Sequence, residues 1–110
     1  MIKLENKKLT VDGVPWTLDY PVQDAFESDS NVIVLFDSGG DALKIQNFKN
    51  LVCYSKNREL RWIADLPTDK PADTYCGIKS KEPLVLYSFC SYTAEIDKVS
   101  GDILKKTFTK

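Results

Sequence analysis

Histidine is absent from all 110 residues. Its absence removes His-based acid–base catalysis, Ser-His-Asp and Cys-His dyads, and most catalytic zinc sites. No apolar run approaches the roughly 18 residues that would suggest a transmembrane helix. Excess charge of either sign is also missing: fifteen basic against sixteen acidic residues leave a formal charge of -1. A strongly basic nucleic-acid binder and a cationic membrane-surface patch are therefore excluded. Only three cysteines occur, Cys53, Cys76 and Cys90, widely spaced and without a C-x-x-C. An odd, scattered set of this kind argues against a disulfide framework and against zinc, and each cysteine sits in an apolar or aromatic stretch. They read as small buried hydrophobes in a reducing cytosol. The opening Met-Ile-Lys-Leu-Glu-Asn-Lys-Lys lacks the charged and apolar regions of a secretory signal, so the expected compartment is cytoplasmic.

What remains is enough for one globular domain spanning 1–110. Hydrophobic residues make up 43% and charged residues 28%, a balance that supports a modest core rather than disorder. Helix-period stretches are nearly missing. Short runs rich in Val, Ile, Leu, Tyr, Phe and Thr, broken by Gly, Pro, Asp, Asn and Ser, predict an antiparallel all-β domain. Strands are expected at 8–11, 14–20, 23–27, 31–37, 51–55, 59–66, 74–79, 84–89, 92–97 and 103–109. Asp12-Gly13 is the strongest hairpin signal, since a tight primed turn needs positive φ. Val14, Trp16, Leu18 and Tyr20 alternate onto one face, as do Leu60, Trp62, Ala64 and Leu66. Val32–Phe36 and Leu84–Tyr87 are apolar throughout and predict strands covered on both faces.

The two alternating strands also match each other. Trp16, Asp19 and Pro21 share W-x-x-D-x-P with Trp62, Asp65 and Pro67. The match predicts an internal repeat over about 14–60 and 60–110, with the two tryptophans in the core at equivalent positions. A third echo opens at Asp97 and Gly101, with Leu104 or Lys105 where the tryptophan would fall. This phrasing resembles the blades of quinoprotein-like (PQQ-type) β-propellers, in which an Asp-ended strand, a D-x-x-[ST]-G turn and a Trp-bearing strand recur. The resemblance implies two four-stranded, blade-like meander sheets packed as an incomplete propeller or a sandwich. It assigns Trp16, Asp19, Trp62, Asp65, Asp97 and Gly101 to structure, and it carries no cofactor ligands, so no cofactor and no metal are expected. In size, missing catalytic groups and cytosolic character the chain is also similar to small bacterial immunity proteins of toxin–immunity pairs.

Two regions offer themselves for recognition. Residues 38–50 form a long interruption between apolar strands, too long for a hairpin loop. Asp37, Gly39, Gly40 and Asp41 open it, and Leu43, Lys44, Ile45 and Phe48 supply anchors for a protein partner. A phosphate cradle would want a helix N-terminus and a placed lysine, and neither is there. Shortening the segment to a tight Asn-Gly turn is expected to leave the domain folded and to weaken partner binding by at least about 2 kcal/mol. If the apolar three face the core instead, the acidic residues and backbone carry the contact, and loss of folding would show that the segment belongs to the core. The second region is acidic: Asp24, Glu27, Asp29, Asp37 and Asp41, with Glu27 and Asp29 expected at one hairpin tip and Asp24, Asp37 and Asp41 toward the other end. It fits a solvated surface, an acidic face for a basic partner, or a hard-cation site. The expected function is a non-enzymatic protein-binding module, most concretely an immunity-type inhibitor of a toxin enzyme. The alternative is a small assembly protein whose unfinished sheets self-associate as a homodimer.

Overall fold

A computed structural model describes residues 2–5, 7–39 and 44–109. It is all-β and antiparallel, with eleven strands in three consecutive meanders. The first sheet holds β1 (Ile2–Glu5), β2 (Lys8–Val11) and β3 (Val14–Thr17). The second holds β4 (Val22–Ser28), β5 (Asn31–Phe36), β6 (Leu51–Ser55) and β7 (Leu60–Ile63). The third holds β8 (Tyr75–Lys81), β9 (Leu84–Ser88), β10 (Tyr92–Ile96) and β11 (Ile103–Phe108). No helix is long and apolar enough to cross a membrane among the described residues. Asp12 and Gly13 both take positive φ, 49° and 83°, as the primed turn between β2 and β3 requires.

The second sheet is the middle layer. Val32, Val34, Phe36 and Val52 pack on Leu9, Val11 and Trp16 of the first sheet, while Ile33, Leu35, Leu51, Cys53 and Trp62 pack on Tyr75, Leu84, Leu86, Ala94 and Ile96 of the third. A strand burying both pleat faces must be apolar at every position, which is why Val32–Phe36 reads as an unbroken run. The outward faces differ in chemistry. Strand register and alternation place Lys3, Glu5, Lys8, Thr10, Pro15 and Thr17 on the first sheet's open face. The same logic places Thr93, Glu95, Lys105 and Thr107, beside Val85 and Tyr87, on the third's. Both end layers thus turn mostly polar residues outward, with Val85 and Tyr87 the apolar exceptions on the third.

Several expectations need correction. A first strand, Ile2–Glu5, precedes the expected ones and builds a third sheet; its four alternating residues are too short to stand out by period. The sheets therefore begin at 2, 22 and 75, not at 14 and 60, and W-x-x-D-x-P ends a sheet rather than starting one. Trp16 and Trp62 do fall on equivalent strands, the last of their sheets, each facing the next sheet. β9 is covered on one face only: Tyr87 is 45% exposed because the third sheet is an outer layer. Val14 and Leu60 are exposed rather than buried with their tryptophans, Leu60 because a bulge between Cys53 and Tyr54 shifts its register. Of the cysteines Cys53 alone is buried; Cys76 sits at an irregularity of edge strand β8 and Cys90 in the turn after β9.

Candidate functional site

Antiparallel meanders sort their connections to two ends, and the two candidate regions lie at opposite ones. The long connections gather at one end. There Phe36 N–H donates to Asn50 O, Asp37 N–H to Pro21 O and Asn47 N–H to Pro71 O. The 38–50 segment belongs to this end, and its second half is tied inward. Phe48 is buried against Tyr20, ring centroids 4.9 Å apart, and Ile45 packs half-buried on the same core. Asn50 is fully buried: its Nδ2 donates to Phe36 O and Tyr75 O, and its Oδ1 accepts from Tyr75 N–H. Asp37 Oδ1 accepts from Gly39 N–H at 3.1 Å, and Lys44 is exposed. Gly40, Asp41 and Leu43 lie outside the described residues. Buried Asp73 knits the end together, accepting from Thr68 and from the N–H groups of Thr74 and Cys90.

The β2–β3, β4–β5, β6–β7, β8–β9 and β10–β11 turns gather at the other end, and there the structure brings Glu27 and Asp29 to a groove between the second and third sheets. The groove encloses about 700 Å³. One wall is the β4–β5 tip, Phe26 to Asp29; the other comes from Lys81 to Leu84 and from the β10–β11 turn, Asp97 to Val99, with Leu104 behind. Its apolar surface is Phe26, Pro83, Leu84, Val99 and Leu104, of which Val99 is 82% and Leu104 59% exposed. Around it stand Glu27, Asp29, Glu82 and Asp97 with Lys81 and Lys98, and Lys56 pairs with Glu27 from outside it. Asp24 joins from one side, 3.9 Å from Lys81 Nζ, which also lies over the Phe26 ring.

Local pairing keeps the walls in place. Lys56, from the β6–β7 turn, reaches Glu27 at 2.5 Å and Asp12 at 3.1 Å. Hydrogen bonding to Lys56 lowers the Glu27 carboxyl below its ordinary range, and the same contacts raise Lys56. Lys98 pairs with Glu82 and donates to Lys81 O. Asp97 Oδ1 accepts from Val99 N–H at 2.8 Å and holds the turn that presents Val99. Among the described residues no three metal-ligating side chains converge, so the carboxylates act as a spread field rather than a chelate.

The sequence-derived candidates are thus split: Glu27, Asp29 and the neighbouring Asp24 are brought together, whereas Asp37, Ile45 and Phe48 are not brought to them. Glu82, Pro83, Val99 and Leu104 were missed, because only the packing of sheet on sheet carries them to the β4–β5 tip. The one available signal was Val99, an apolar residue inside the polar Asp97–Gly101 turn, where strand alternation cannot bury it.

A family model described as a domain of unknown function, DUF7957, matches residues 1–108. The chain belongs to the DUF7957 family. No curated protein and no solved structure matches it. The DUF7957 fold therefore has to be read for function through its own surfaces: two polar faces, a set of edges and the groove.

Proposed function

We propose that this DUF7957 domain is a cytoplasmic, non-enzymatic protein-binding module, an immunity-type inhibitor that covers a partner enzyme. The observation that carries the reading is the treatment of the sheet surfaces. Both broad outer faces are mainly polar, and the last strand of each sheet is unsuited to pairing with a copy of itself. Pro15 removes a donor from β3, β7 is four residues long and bulged, and β11 carries Lys105 and Lys106. The first strands guard each other: Gln23 of β4 donates to Cys76 O of β8, and β1 lies along β4. These features weigh against the assembly alternative and favour a monomer that meets a different protein.

The blade-like reading gains support from the same packing, since Trp62 Nε1 donates to Lys98 O within the turn of the following sheet. Sedimentation at micromolar concentration tests the first half of the proposal: a monomer is expected, and a stable homodimer overturns it. Co-expression with a toxic enzyme encoded beside the gene tests the second: neutralisation through a one-to-one complex is expected. An unhindered enzyme and no complex overturn it.

A further inference from the structure

We draw no further inference here: the strongest candidate, the turn-end groove between the second and third sheets that exposes Val99 and Leu104, carries nothing because Lys56 and Lys98 already pair with its Glu27 and Glu82 and nothing in the structure shows what covers it.

Discussion

The indole of Trp62 lies so close to Gly101 that a Cβ at residue 101 would stand 2.6 Å from Trp62 Cδ2. Gly101 also takes φ +80°, a region that L side chains avoid. One glycine thus serves two ends: it closes the β10–β11 turn and lets the last strand of the second sheet dock on the third. Gly101→Ala should cost about 2–4 kcal/mol, combining backbone strain with overpacking against a ring. Urea denaturation followed by Trp fluorescence measures it. A cost under about 1 kcal/mol would mean that the indole does not rest there.

Asn50 is the polar counterpart of that contact, joining β5, β6 and β8 through three hydrogen bonds with no exposure to water. Asn50→Ala strands two carbonyls and an N–H, and about 3–5 kcal/mol of destabilisation is expected. Asn50→Asp is the sharper probe. It keeps the acceptor for Tyr75 N–H but replaces the NH2 donor by a single oxygen facing two carbonyls. Its carboxyl should be protonated in the fold, with a pKa raised above the unfolded value near about 3.9. The variant's carboxyl should therefore cost least below that value, and its stability should fall relative to the parent as pH rises from there through the raised folded value. A melting temperature that tracks the parent's at every pH contradicts this account.

Much of the architecture was legible because strand period depends on local residues. Val32–Phe36 is the doubly covered strand its apolar run suggests, and Asp12-Gly13 the expected turn, but the similar run Leu84–Tyr87 is covered on one face only because its sheet is an outer layer. The shared W-x-x-D-x-P was legible, but not where it falls in a sheet. W-x-x-D-x-P marks where Trp16 and Trp62 leave one sheet for the next, and nothing local separates an end from a beginning. Leu60 was misplaced because a bulge costs no special residue. The groove was invisible for a stronger reason. Glu27 and Val99 are 72 positions apart, and only sheet-on-sheet packing brings them to one site.

Burial separates the cysteines chemically. Cys53 is enclosed between the second and third sheets, and desolvation pushes its thiol up to about 11, against a smaller lowering by Arg61. At pH 8 almost none of it is thiolate. Iodoacetamide should label exposed Cys76 in the native protein and leave Cys53 untouched until denaturant is added, as peptide mass mapping would show. Labelling of Cys53 under native conditions would place it at a surface.

Lys56 ties three turns together, and its effect on stability should depend on pH with a definite sign. Hydrogen bonding to Lys56 holds Glu27 below its ordinary 4.5, so the pair stabilises the fold above that value. The contribution is lost as pH falls through the lowered one. Lys56→Met should therefore melt slightly below the parent at pH 7, and the gap should close on acidification. The difference should stay small, because both groups are exposed. A gap that widens at low pH would rule out the pairing with Glu27.

Replacing residues 38–50 by a tight Asn-Gly turn should abolish folding. The replacement deletes Phe48, whose ring fills the space beside Tyr20, and a large buried aromatic lost from a core costs about 3–5 kcal/mol by itself. It also deletes Asn50 with its three buried hydrogen bonds and Asn47, whose Nδ2 donates to Thr68 O and Lys70 O across the loop end. The combined loss is comparable to the whole stability of a domain this size, about 5–15 kcal/mol. Circular dichroism and amide dispersion should report an unfolded chain. Lys44→Glu, at an exposed position, should instead fold normally. A folded deletion with weakened partner binding would reverse the assignment of this segment to the core and return the recognition surface to the loop.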